Sequence, residues 1–361
     1  MPNFLLDQPM ILESGQVLDS VQVQYSITGT PLSDGSNVVV VCHTLTGGID
    51  VTSQKEWWFI GPGQLIDTNY YCVISMATLG SWNGSSSPCL RNQHSKKSLG
   101  INFPTVTVID SVRAHQQVLG HLGIRRAKAI IGGSFGGFCV YTWLALEPQL
   151  FDLAIIFQSA LQCSAHTIGA FAFIRELVCS DPAWNHGKYK PNEIHSMSSM
   201  QKILSFNRLF KLSHCFFEEL FPLELRRQEV KLDANFSEPC SVVDTFISSP
   251  PKSLAGIDPN SLLCILRSSA LFDLQRSLPD LWTRWQDLRS QLVQIPCAQD
   301  WRYPIEGMLS VHKKACAIGV NSQLRVTRSG YGHGSFLHDP DSLRPVYHFL
   351  EQSLERSSDM T

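Results

Sequence analysis

The chain lacks several features that would assign it quickly to a class. It holds 11 cysteines in 361 residues, yet no CxxC pair occurs and the count is odd. That argues against a disulfide framework. Cys42, Cys72 and Cys139 sit inside apolar runs, where a free thiol acts as a small hydrophobe. The expected setting is a reducing, cytoplasmic one. Histidines and cysteines do not fall into spaced ligand sets, so no metal site is expected. Charge is scarce, with 17% Asp, Glu, Lys and Arg and a net charge of −2. This gives no basic surface for nucleic acid or an anionic membrane. No apolar run approaches the length of a membrane span. The first residues, MPNFLLDQPMILESG, lack a basic segment and carry Asp7 early, unlike a secretory signal. The last residues, SSDMT, form no peroxisomal or retention tail. There is no internal repeat and no low-complexity stretch.

What is present describes a globular chain with a sizeable core, 43% hydrophobic. Residues 10–30 alternate around Gly15 and Gly29, as in a hairpin at a sheet edge. VVVVC at 38–42 suits a strand buried on both faces, and 71–76 suits a second. A helix is predicted over 108–122, closed by Gly123, and then a strand over 127–131. A helix from Ser134 to near Pro148 and a strand over 153–157 follow. Helical patterns rich in Phe, Met, Leu and Cys then fill the chain to about Ala270, without a convincing buried strand. Alternation resumes with strands at 292–298 and 324–328 and helices near 308–318 and 343–354. This is an α/β pattern with a mostly parallel sheet and helices on both faces. The expected organisation is a core from 1–160 and 271–361, with 161–270 as an inserted helical cap.

The stretch AKAIIGGSFGG, beginning at Ala127, is the chemical focus. Gly132-Gly133-Ser134-Phe135-Gly136 matches G-x-S-x-G, which puts a serine on a sharp strand-to-helix turn. A serine hydroxyl is a weak nucleophile and needs a base, and the base needs an orienting carboxylate. In a fold with this turn the order is Ser, then Asp or Glu, then His. Asp300 follows one late strand and His333, in Tyr331-Gly332-His333-Gly334, follows the next. His312 and His348 fall in predicted helices, and His338 lies five residues further on. Asp339 and Asp341 come after His333 and break the order. An oxyanion hole would use the N–H of Phe135 and one from Thr44 or Leu45, in the loop that leaves VVVVC. His43, in that loop, reads as a structural histidine bonded to backbone rather than a catalytic one.

Together these residues resemble the homoserine O-acetyltransferases of the α/β-hydrolase fold. The matching pieces include Cys42-His43-Thr44-Leu45-Thr46-Gly47, Trp57-Trp58-Phe59-Ile60-Gly61-Pro62-Gly63 and Phe103-Pro104-Thr105-Val106-Thr107. Further on they include Asp181-Pro182-Ala183-Trp184, Asp300-Trp301-Arg302-Tyr303-Pro304 and Gly332-His333-Gly334-Ser335-Phe336. They are collinear over nearly the whole chain. The resemblance implies the α/β-hydrolase fold with its cap, acetyl-CoA as co-substrate with no bound cofactor, and a ping-pong route through an acyl-serine. It implies Ser134 as nucleophile, His333 as base, Asp300 as its orienter, and Leu45 with Phe135 as oxyanion donors. It also implies a small-molecule acceptor and dimers formed through the cap helices.

The chain departs from the family where the amino acid substrate is held. The family carries an arginine in a cap helix, with a tyrosine seven residues later. Ungapped alignment puts Ser199 and Phe206 there. A hydroxyl is a poor substitute for a bidentate guanidinium. Lys202 and Arg208 are the cations on that helix that could compensate, from another angle. The Ser-rich stretch Asn83-Gly84-Ser85-Ser86-Ser87-Pro88 is closer to the form associated with fungal acetyltransferases, and so with specialised metabolism. Phe171, Phe173, Phe206 and Phe210 would suit a larger, less polar acceptor than homoserine. Three outcomes are expected to compete: an O-acyltransferase, an ester or thioester hydrolase with the same triad, and a non-catalytic relative.

Overall fold

The computed structural model describes residues 1–91, 98–190, 194, 197–233, 235, 237–249 and 256–356. Its centre is an eight-stranded sheet. In chain order the strands are β1 (Asn3–Leu5), β2 (Gln22–Thr28), β3 (Val38–Cys42) and β4 (Cys72–Met76). They continue as β5 (Ala127–Gly133), β6 (Phe151–Phe157), β7 (Gln291–Ile295) and β8 (Ser322–Leu324). Their order across the sheet is β1-β2-β4-β3-β5-β6-β7-β8. β1–β2 and β2–β4 pair antiparallel, and the remaining pairs are parallel. The chain therefore starts a run outward at β3 and reverses, leaving the ends of β3 and β5 side by side, with Cys42 opposite Gly132. Ligand sites in open parallel sheets form where strand order reverses, because the loops there splay apart.

VVVVC shows how the core is divided. Val38, Val40 and Cys42 pack into one apolar cluster, and Val39 and Val41 into the other. Both faces must therefore be covered. On the first lie α1 (Val108–His121), α2 (Phe135–Leu146) and a later helix, Ile305–Ala317. On the second lie Trp57, Phe59 and the final helix, Arg344–Arg356, through Val346, Leu350 and Leu354. α1 begins on a capping box in which Thr107 accepts from Asp110 N and the Asp110 carboxylate accepts from Thr107 N. Gly123, at φ +73°, closes it as expected.

Between β6 and β7 the described residues form helices: α3 (Ala165–Cys179), α4 (Ser198–Lys211), α5 (His214–Leu220), α6 (Leu223–Gln228), α7 (Val242–Ser248) and α8 (Pro259–Ala270). The predicted strands and long helices are present, with shifted ends. Three differences stand out. Residues 10–18 form their own small hairpin, Met10–Ile11 with Val17–Leu18, apart from the main sheet. β1 was not expected, because a three-residue edge strand has too few positions to show alternation. The strand read at 324–328 is β8, which lies earlier. Val326 is 45% exposed, and past β8 the chain keeps Arg325 N on Gln294 O at 2.9 Å and an isolated bridge from Thr327 to Cys297.

Candidate active site

Ser134 sits at the turn from β5 into α2 with φ 56° and ψ −123°. This is a strained conformation for a residue with a Cβ, of the kind found where backbone strain serves a site. The flanking glycines permit it by close approach. A Cβ on Gly136 would lie 2.2 Å from the Cys42 carbonyl oxygen, and one on Gly132 2.5 Å from the Gly136 oxygen. These are backbone contacts and cannot rotate away. Gly136→Ala is expected to destabilise the fold by about 1–3 kcal/mol, the usual cost of overpacking. A lower urea midpoint at unchanged m-value checks this.

Asp300 and His333 reach the serine from the loops after β7 and β8. His333 Nδ1 donates to Asp300 Oδ2 at 2.8 Å, and His333 Nε2 accepts from Ser134 Oγ at 2.9 Å. The Asp300 carboxylate is fully enclosed, and its other oxygen takes the N–H groups of Arg302 and Tyr303 at 2.9 and 3.0 Å. The carboxylate thus fixes the ring's tautomer, leaving Nε2 free to take a proton. Burial pushes His333 below its ordinary value of 6.5. Asp300 opposes this, and Arg302 and Lys211 add to it. The ring is neutral at neutral pH and able to act as a base. The acid limb of kcat/KM on a neutral ester is therefore expected to inflect below pH 6.5. Lys211→Met should move it upward, because a repelling cation is gone. An inflection above 6.5 in the unsubstituted protein would contradict this.

The loop carrying His333 is held from two sides. Gln158, at the end of β6, donates to Ser335 Oγ at 2.7 Å and to the Gly332 carbonyl at 3.2 Å. It accepts from Gly334 N at 2.6 Å. The end of α4 holds the other side: Lys211 O accepts from His333 N at 3.0 Å, and Ser213 N donates to Tyr331 O at 3.3 Å. Tyr303 packs its ring 5.2 Å from that of His333, and its side chain interacts with Ser134. Gln158 carries no local sequence signal, whereas Tyr303 lies within the matching piece that begins at Asp300.

The oxyanion candidates lie on two different backbone segments. Phe135 N–H opens α2, where helix geometry leaves it without an intrahelical acceptor. Leu45 lies in the loop after β3. His43 shapes that loop: its Nδ1 donates to Thr44 O at 2.8 Å, and its Nε2 accepts from Thr78 N at 3.2 Å. Burial pushes its pKa down, which keeps Nε2 unprotonated and able to accept. His43 is thus bonded to backbone through both ring nitrogens.

The substrate-binding expectations fare differently. Ser199 is 2% exposed on α4, and its N–H donates to Asp181 at 2.9 Å. Phe206 stacks on Phe210 at 5.7 Å. Arg208 turns toward α7, where it donates to the Phe246 carbonyl and covers the Phe246 ring at 4.1 Å. Lys202 is exposed.

All eleven cysteines are free. Among the described residues there is no cluster that could hold a metal, and no helix is long and apolar enough to cross a membrane.

Residues 37–176 match the profile of the alpha/beta hydrolase fold. A homoserine O-acetyltransferase of Methanosalsum zhilinae is 30% identical over 355 residues, covering 94% of this chain and 70% of that one. The chain belongs to the homoserine O-acetyltransferase family. Among solved structures, the family's enzyme from Bacillus anthracis superposes with a TM-score of 0.81 at 24% identity, over 97% of this chain and 96% of that one. Esterase E22 superposes at 0.83 with 21% identity, over 98% and 99%. These likenesses show the α/β-hydrolase fold. As a member of the homoserine O-acetyltransferase family, the chain is an enzyme of acyl transfer, a chemistry in which an alcohol or water takes the acyl group.

Proposed function

We propose that this protein is a serine-dependent O-acyltransferase that moves an acetyl group from acetyl-CoA to a hydroxyl of a small metabolite other than homoserine. The observation that carries this is the unbroken hydrogen-bond chain from Asp300 through His333 to Ser134, in a chain of this family. In the first half, His333 Nε2 takes the Ser134 proton as Oγ attacks the thioester carbonyl. The oxyanion is held by the N–H groups of Phe135 and Leu45, and collapse expels CoA, which receives the proton. In the second half, His333 takes the acceptor's hydroxyl proton, the alkoxide attacks the acyl-serine, and the proton returns to Ser134 Oγ. Asp300 keeps the imidazolium oriented throughout.

The helices of residues 161–270 serve as the cap, and α4 brings them onto the His333 loop. Ser199 and Phe206 mark the place where a zwitterion clamp is missing, which supports an acceptor of specialised metabolism. A reducing, cytoplasmic setting fits a CoA-dependent reaction.

The test follows thiol release from acetyl-CoA with and without candidate alcohols. We expect about one equivalent per enzyme without an acceptor, and full turnover with one. Full turnover without an alcohol would make the protein a thioester hydrolase instead.

A further inference from the structure

Two cations beside the catalytic histidine have no anion of their own. Arg302 follows Asp300 by two residues and is 8% exposed. One terminal nitrogen donates to Asn207 Oδ1 at 3.0 Å, and the guanidinium lies 4.3 Å from the centre of the Phe210 ring. Its Nε has no partner. Lys211, at the end of α4, runs past the backbone of Gly334, and its ammonium sits 5.1 Å from the Tyr331 ring. Burial, and then repulsion from Arg302, push the Lys211 ammonium down to about 7, so an anion beside it would favour its charged form. Asp300, the carboxylate nearest in sequence, attracts the Arg302 guanidinium without forming an ion pair with it, and is already hydrogen-bonded to His333 and to two backbone N–H groups. Glu56 attracts Lys211 without reaching it. Among the described residues no carboxylate forms an ion pair with either cation.

A guanidinium stays protonated even when buried, so this charge cannot be relieved by losing a proton. Burying it without a counter-ion is costly, and an unpartnered buried donor adds to the cost. An anion arriving at the guanidinium would remove the first of these penalties. The surroundings say what else the ligand carries. Phe210 stacks on Phe206 at 5.7 Å and meets Trp301 at 5.2 Å and His166 at 5.2 Å. The wall beside the cations is therefore aromatic.

We propose that Arg302 and Lys211 form the carboxylate-binding subsite of this enzyme, holding a carboxylate on a substrate whose body packs against Phe206, Phe210 and Trp301. The inference rests on the acyl-transfer reading of the same centre. It places recognition on the loop after β7 and the end of α4, rather than at Ser199. The carboxylate belongs either to the acceptor or to the acyl chain.

The probes are 3-phenyllactate and its methyl ester, used to protect Ser134 from a fluorophosphonate. Wild-type protein should be protected by the acid at roughly 10-fold lower concentration than by the ester, as for a charge-assisted contact. In Arg302→Gln the ratio should fall to about one, and in Lys211→Met it should fall part of the way. Arg302→Lys should restore some of it, which a purely structural bolt between Asn207 and Phe210 would not. Each ratio is taken within one protein, so a slower-labelling variant remains informative. Calorimetric titration with the same two compounds needs no reactive serine. If Ser134 does not label at all, the proposed function fails, and calorimetry still decides the subsite. An acid no better than its ester in the wild type, or a ratio unchanged in both Arg302→Gln and Lys211→Met, would overturn the subsite. A preference for p-nitrophenyl hydrogen succinate over p-nitrophenyl acetate that depends on Arg302 would place the carboxylate on the acyl chain. Protection by 3-phenyllactate without that preference would place it on the acceptor.

Discussion

Ser134→Ala should lower acyl transfer by about 10⁴- to 10⁶-fold, while the protein stays folded. Loss of a serine nucleophile removes the acyl-enzyme route altogether, and what remains comes from binding and the oxyanion donors. The side chain is small and 7% exposed, and its bond to His333 Nε2 is the only contact of its hydroxyl that the triad needs. Alanine fits the same turn, although the strained φ of 56° remains. Thermal unfolding should therefore change little, and turnover of a p-nitrophenyl acyl ester should almost vanish. A residual rate within tenfold of wild type would mean that another group carries the acyl chain.

Asp300→Asn should cost about 10⁴-fold in kcat, with a small change in KM. The asparagine can still accept the N–H groups of Arg302 and Tyr303 through its oxygen, so the loop keeps its shape. Its NH₂ would face His333 Nδ1, where Asp300 Oδ2 now accepts at 2.8 Å. The ring would then favour the tautomer with its proton on Nε2, which cannot take one from Ser134. Steady-state kinetics on a neutral ester measures this. A loss of less than tenfold would show that Asp300 holds the loop and not the base.

The three residues of the hydrogen-bonded chain Asp300–His333–Ser134 were legible in the sequence because their signals are local. Gly132, Ser134 and Gly136 encode the turn, and Asp300 and His333 follow strand ends in the required chain order. The buried strands were equally legible, since VVVVC has no polar face to offer solvent. What was not legible depends on elements distant in the chain. Gln158 matters only because β6 ends beneath the loop of residues 332–335. Arg302 looked like one more member of the Asp300 motif. Its role as an unpaired cation appears only when α4 brings Asn207, Phe210 and Lys211 against it. Arg208, on the same helix, was the more obvious substitute for the missing arginine. The helix turns it onto α7. Helix periodicity could not reveal which face meets the site, because both faces of α4 carry apolar and basic residues.

The division between transferase and hydrolase rests on what happens after the serine is acylated. Both reactions share Ser134, His333 and Asp300, and they differ in whether water reaches the acyl-enzyme. Lys211 and Ser213, at and just after the end of α4, bond the backbone of the loop that carries His333.

The most direct measurement is intact-protein and peptide mass spectrometry after mixing the enzyme with acetyl-CoA alone. The account predicts one acetyl group per chain, on the peptide containing Ser134, which disappears when a suitable alcohol is added and its acetyl ester forms. An enzyme that turns over acetyl-CoA with no acetyl group on Ser134 would contradict it.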